Sequence, residues 1–205
     1  IRITFYNKKT IIINKIEIMK TFKIHTVESA PEGSKPGLEA SIKANGFIAN
    51  LHGVLAESPQ IYEAYQTLHK LFSQSSFNAD ELTVVWQTIN VEHECHYCVP
   101  AHTAIANMMK VDNAITEALR NRTALPTEKL QVLHETTLEI VRERGHLSEA
   151  QKEKFFAAGY GTRELLDIIL GLSQKVISNY TNHLAKTPVD KPFEKFAWSK
   201  ENALS

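Results

Sequence analysis

From Ser58 onward, apolar residues recur every three or four positions, and a polar capping residue opens each run. That period predicts helices. Ser58-Pro59 sets a capping hydroxyl ahead of a first-turn proline, and Ile61, Tyr65, Leu68 and Phe72 follow on one face. Asn78 with Glu81 starts a second helix, with Leu82, Val85, Trp86 and Ile89 as its stripe. Asp112 caps a shorter segment containing Ile115, Ala118 and Leu119. Residues 127–144 carry Leu130, Leu133, Thr137, Ile140 and Val141, and Gly145 is placed to end that helix in a left-handed turn. Ser148 with Gln151 forms a capping box for a helix closing near Gly159. Thr162 caps the last long helix, in which Leu165, Ile169, Leu172, Val176 and Tyr180 form a stripe. Gly171 inside it costs about 1 kcal/mol relative to alanine, so it marks a close helix approach.

No alternation of period two, repeat or internal linker interrupts Ser58 to Leu184. The expected fold class is all-α, a single helical domain over residues 46–198. Residues 19–45 read as an irregular lead-in, turn-rich from Ser29 to Gly37, and 199–205 as a tail. The two prolines between Thr187 and Phe196 should lay that segment against the body. Residues 1–18 differ from the rest: seven are Ile and four are Lys or Arg, and Met19 follows directly. They are expected to be an extension upstream of a start at Met19, the rival being an edge strand or basic amphipathic leader. Their longest apolar run is three residues, too short for a signal core or membrane span, which makes a cytoplasmic location the expectation.

Composition narrows the function. The 205 residues hold 23 Lys+Arg and 23 Asp+Glu, a balance with no general attraction for nucleic acid or membrane. Without residues 1–18 it becomes 19 against 22, mildly acidic. Two cysteines cannot make a disulfide scaffold.

Both cysteines lie in Glu92-His93-Glu94-Cys95-His96-Tyr97-Cys98-Val99-Pro100-Ala101-His102. Two cysteines placed at random would fall three apart in about 1% of cases. If a helix begins between them, their sulfurs come close enough to join, and the free N–H groups of its first turn stabilise a thiolate. Pro100 suits a first turn. His102, one turn after Cys98, can receive the thiol proton. Glu92, three before Cys95, can face the same cluster and orient His102 or relay protons. The alternatives are two buried small residues, or a Cys-Cys-His-Glu zinc site, for which the chain offers no second ligand pair. His93, His96, His134 and His183 read as surface or satisfied core histidines, Tyr97 as a wall of the site, and residues 142–144 as a solvated face.

The pattern E-x-x-C-x-x-C-x-x-x-H in a helical chain resembles the AhpD-like alkylhydroperoxidases of the carboxymuconolactone decarboxylase superfamily. Asn50-Leu51-His52, Ala56-Glu57-Ser58-Pro59, residues 84–90, Asn182-His183 and Thr187-Pro188-Val189-Asp190 extend the similarity from about Gly46 to Trp198. The resemblance implies an AhpD-like helical bundle and a thiol peroxidase needing no metal, flavin or haem. In it Cys98 would attack the hydroperoxide and become a sulfenic acid, Cys95 would condense with it, His102 would activate Cys98, and a glutamate would complete the relay. A dithiol reductant, small molecule or protein, would reopen the disulfide. Homo-oligomers are common in the family, and the last helix with Phe193, Phe196 and Trp198 offers apolar surface for subunit contact.

This chain departs from the pattern where many members carry a relay glutamate twelve residues before the first cysteine: the position is Thr83, with Glu81 nearby. The relay falls to Glu92, to Glu81 or to no glutamate. Superfamily members that decarboxylate a lactone lack the cysteine pair, and Cys95 and Cys98 argue against that activity. A disulfide reductase or isomerase, and a redox-switched oligomer without turnover, are the competing functions.

Overall fold

The computed structural model describes residues 21–201 and is all-α, with no strand among the described residues. Residues 1–20, and with them the expected start at Met19, lie outside the described residues, as do 202–205. A 3-10 turn, Glu32–Ser34, leads into α1 (Lys35–Asn45) and α2 (Asn50–Leu55). There follow α3 (Pro59–Ser73), α4 (Ala79–Glu92), α5 (Cys98–Met108), α6 (Asn113–Arg120), α7 (Glu128–Arg142), α8 (Glu149–Ala157) and α9 (Thr162–Ala185), then a 3-10 turn at Lys191–Phe196. None of these helices is long and apolar enough to cross a membrane.

Four of the expected caps form by side-chain hydrogen bonds. Asn78 Oδ1 accepts from the Glu81 N–H while Glu81 Oε2 accepts from the Asn78 N–H, closing the capping box. Asp112, Thr127 and Ser148 each accept a first-turn N–H. Helix α7 ends at Arg142, earlier than expected, and the chain turns away through two left-handed residues, Arg144 at φ +56° and the expected Gly145 at φ +90°. Two caps differ. Gln151 turns its amide to Thr136 Oγ1, so only the Ser148 half of that box is present. Gly161 rather than Thr162 caps α9, its N–H donating to Glu164 Oε2. The lead-in is also more regular than expected. Pro36 sits in the first turn of α1, Gly46 closes it in the left-handed region, and Leu38 anchors it in the interior. Short helices such as α1 and α2 show too few turns for a period to stand out.

Helix α4 is the centre: every residue from Glu81 to Val91 is buried, and α5, α6, α7 and α9 pack around it. The main core gathers Phe72, Trp86, Ile89, Leu133, Phe155 and Ile168. A smaller one joins Leu38, Leu51, Leu55, Tyr62 and Tyr65 of α1–α3 to both cysteines. The tail lies against the body, as its prolines suggest: Trp198 is buried with Val91 and Val99 and donates to the Arg120 carbonyl.

Helix α9 is inverted relative to simple amphipathicity. Its buried face is Ile168, Gly171, Gln174, Lys175, Ser178, Asn179 and Asn182, whereas Ile169 and Tyr180 of the apolar stripe are exposed, together with Leu166 and Leu184. Gly171 does mark a close approach: a Cβ there would lie 2.8 Å from a ring carbon of fully buried Phe72. Gly171→Ala should therefore destabilise by about 1–2 kcal/mol despite alanine's better helix propensity, seen as a lower urea midpoint. An unchanged midpoint would mean that the Phe72 ring can withdraw.

Candidate active site

The turn between α4 and α5 builds the thiol pair. Past Glu92 the chain folds back on α4, with the Cys95 N–H donating to the Asn90 carbonyl at 3.0 Å and Glu94 in the left-handed region at φ +54°. Helix α5 begins at Cys98, its cap position Tyr97 lying between the two cysteines, and Pro100 falls in its first turn. The Cys98 N–H donates to Cys95 Sγ at 3.3 Å, one of the otherwise unpaired first-turn donors. Both cysteines are free thiols and almost wholly enclosed, Cys95 at 0% and Cys98 at 2% exposure.

The polar face of α9 covers them. Asn182 Nδ2 donates to Cys98 Sγ at 3.3 Å, and its own Oδ1 is buried without a partner. Asn179 joins Asn90 of α4 at 3.0 Å and accepts from His93 at 2.9 Å. Gln87 ties α4 to the Val99 carbonyl and the Thr103 hydroxyl. Burial raises the Cys98 thiol, but hydrogen bonding from Cys95, the positive charge of Lys175 and hydrogen bonds from Ser178 and Asn179 outweigh it and bring Cys98 well below an ordinary thiol. Cys95 moves the other way, raised by its hydrogen bond to Cys98 and by burial. The two thiols are thus shifted in opposite directions.

Lys175 is fully buried, and its Nζ lies 2.8 Å from Nε2 of His102. Burial and the lysine charge hold His102 far below its usual range. Burial lowers Lys175 as well, opposed by the nearby cysteines, and with Lys175 as the donor Nε2 of a neutral His102 accepts and the ring proton sits on Nδ1. Beyond His102 runs a row of rings: Trp86 at 4.9 Å, His69 stacked on Trp86 at 5.5 Å, then Tyr65 and His52. Tyr97 seals the opposite side. Its hydroxyl donates to the Asp190 carboxylate and accepts from the Leu51 N–H, while Asp190 also accepts from the Asn50 N–H.

Of the residues singled out by the sequence, Cys95, Cys98 and His102 are brought to one buried region. No hydrogen bond joins His102 to either sulfur among the described residues; its Nε2 meets Lys175 instead. Glu92 does not reach the cluster. Its carboxylate is held by Arg142 at 2.7 and 2.9 Å, since the turn after α4 breaks the helical angle that would aim it at Cys95. Glu81 is committed to its cap, to Tyr160 and to Lys129, and Thr83 donates to the Ala79 carbonyl. His93, His96 and His134 each have a hydrogen-bond partner, as satisfied histidines should. Lys175, Ser178 and Asn179 were not singled out, and Asn182 entered only through the resemblance. Their spacing of three, one and three residues places them on one helical face, a polar stripe without a single carboxylate.

No known family profile and no curated protein matches the sequence. Solved structures do. An uncharacterized peroxidase-related protein from Ralstonia eutropha JMP134, described as an alkylhydroperoxidase AhpD core, superposes with TM-score 0.74 at 17% identity, covering 83% of this chain and 92% of that one. A peroxidase-related protein from Silicibacter sp. TM1040 gives TM-score 0.68 at 16% identity, over 84% and 94%. The debrominase Bmp8, as a cysteine-to-alanine variant in complex with 2,3,4-tribromopyrrole, gives 0.69 at 13%, over 83% and 91%. At such identities the likeness is one of architecture, and the architecture of this chain is the all-α AhpD-like fold.

Proposed function

We propose that the protein is a thiol-dependent peroxidase that reduces hydrogen peroxide or organic hydroperoxides by cycling Cys95 and Cys98 between dithiol and disulfide. The observation that carries this reading is the division of the pair. Cys98, at the head of α5, accepts from Asn182 Nδ2 and is lowered by the charge of Lys175, while Cys95 three residues earlier is raised by its hydrogen bond to Cys98 and by burial. A thiolate beside a resolving thiol is what two-step peroxide reduction needs. Cys98 attacks the outer oxygen of the hydroperoxide, the O–O bond breaks, and a sulfenic acid forms as an alcohol or water leaves. Cys95 then attacks that sulfur and water leaves, closing a disulfide. The free Oδ1 of Asn182, on the side chain that already contacts Cys98, offers an acceptor for the O–H of the hydroperoxide. A dithiol reductant restores the pair by exchange.

The enclosure of both sulfurs favours a small substrate over the protein disulfide that an isomerase would need to admit. Reduced protein mixed with one equivalent of cumene hydroperoxide is expected to consume it and lose both free thiols. Thiols that persist under peroxide but react with a small model disulfide would overturn the peroxidase reading in favour of a disulfide reductase.

A further inference from the structure

We propose that Lys175 carries the protons of the thiol pair: its ammonium balances the Cys98 thiolate, protonates the oxygen that leaves the hydroperoxide, and takes the next proton from Cys95. This rests on the peroxidase reading for its substrate and goes beyond it in assigning the relay, for which neither Glu81 nor Glu92 is available.

The geometry leaves Lys175 few counter-charges. It projects from the polar face of α9 into full burial, where an ammonium without an anion is costly. The titratable groups that feel its charge are His102 on α5, His69 on α3, His93 at the end of α4, and the two cysteines. No carboxylate is among these groups. Asp190, the remaining buried acid near the thiols, is taken up by Tyr97 and Asn50. An imidazole is either neutral or cationic, so the three histidines cannot supply an anion. The thiols can. Cys98, contacted by Asn182 Nδ2, takes the negative charge, and the resting site is neutral as an ammonium–thiolate pair. His102 acts as a positioning residue, accepting from Nζ at 2.8 Å and fixing the ammonium.

The proton count then closes within the site. The Cys98 thiolate bonds to the outer peroxide oxygen, the O–O electrons leave with the inner oxygen, and Lys175 gives that oxygen a proton to release an alcohol or water. Lys175, now a neutral amine, accepts the proton of Cys95 as Cys95 attacks the sulfenic sulfur. It returns that proton to the departing hydroxide, which leaves as water. Thiolate, thiol, ammonium and hydroperoxide have become disulfide, alcohol, water and neutral amine, with no charge created in the interior. Reduction by a dithiol reverses the balance, its two protons going to Lys175 and Cys95.

Thiolate ultraviolet absorbance against pH, measured on the reduced parent chain and on Lys175→Met and Lys175→Arg, tests the charge. The Met variant, close in shape and relieved of a buried charge, should keep the helical circular dichroism of the parent. Its thiolate midpoint should rise by roughly two pH units, while the Arg variant, which keeps the charge, should stay near the parent. Because arginine does not surrender its proton, the Arg variant should hold a thiolate yet reduce peroxide at least tenfold more slowly, on the order expected for a lost general acid. A Met variant that titrates at the parent midpoint overturns the proposal, whether or not peroxide turns over. The parent itself supplies a second measurement, needing no variant. With the resting thiolate seen by absorbance, oxidation by one equivalent of peroxide in weak buffer should take up no proton from solvent, and uptake of one per disulfide overturns the carrier role. A Lys175-dependent thiolate in a chain that leaves peroxide untouched would support the ion pair while overturning the peroxidase reading and the proton transfers built on it.

Discussion

Cys98→Ser is expected to lower peroxide consumption by a factor on the order of 10³ or more, because a serine hydroxyl in the same place supplies no thiolate-like nucleophile. Cys95 cannot substitute for it. That thiol is fully enclosed and held protonated by its hydrogen bond to Cys98 and by burial. Cys95→Ser should behave differently. Its Cys98 retains the contact with Asn182 and the nearby charge of Lys175, so one equivalent of peroxide should be consumed in a rapid phase and turnover should then stop. The product should be a Cys98 sulfenic acid, trapped by dimedone and read by mass spectrometry. Both changes are near-isosteric, so circular dichroism should match the parent. Parent-rate consumption by Cys98→Ser would remove Cys98 as the nucleophile.

The second large effect is acid instability. Burial, the largest cause, lowers His52 and His69 to about 4, and it holds His102 well below its usual range. In the unfolded chain these side chains return to about 6.5. Between pH 6.5 and 4 the unfolded state therefore binds more protons than the folded one, and stability falls as pH falls through that window. Each of His52 and His69 contributes up to roughly 3 kcal/mol of this loss, with mutual repulsion preventing simple addition. Asp190, raised by burial, works in the opposite sense and trims the loss. Urea midpoints at pH 7 and at about pH 4.5 should differ strongly, and His69→Gln should flatten the difference. Equal midpoints would mean that these imidazoles protonate within the fold.

The helices of the main core were legible because their starts are local chemistry. Asn78, Asp112, Thr127 and Ser148 cap in the structure by hydrogen bonds spanning two or three residues, which a sequence displays directly. The start of α5 between Cys95 and Cys98 was legible for the same reason, with Pro100 restricting where a helix can begin. What escaped was the partner of His102. Lys175 lies 73 residues away, and an apolar period points to the wrong face of α9, since it assumes that a helix buries its oily side. Here the interior requires hydrogen-bonding groups, so the polar side is buried and Leu166 and Leu184 face outward. Glu92 misled for a related reason: three residues from Cys95 means one face only while the helix continues, and α4 ends at Glu92 itself.

The clasp in which Asp190 holds Tyr97 and the Asn50 N–H also sets an order of assembly during synthesis. A nascent chain that has emerged only as far as Gly161 already displays Cys95, Cys98 and His102, yet it lacks Lys175, Asn182 and the closing carboxylate. Until α9 and the segment behind it leave the ribosome, the two cysteines lack the side chains that cover and polarise them in the folded chain. Their reactivity and their shelter arrive together, with the same last stretch of chain.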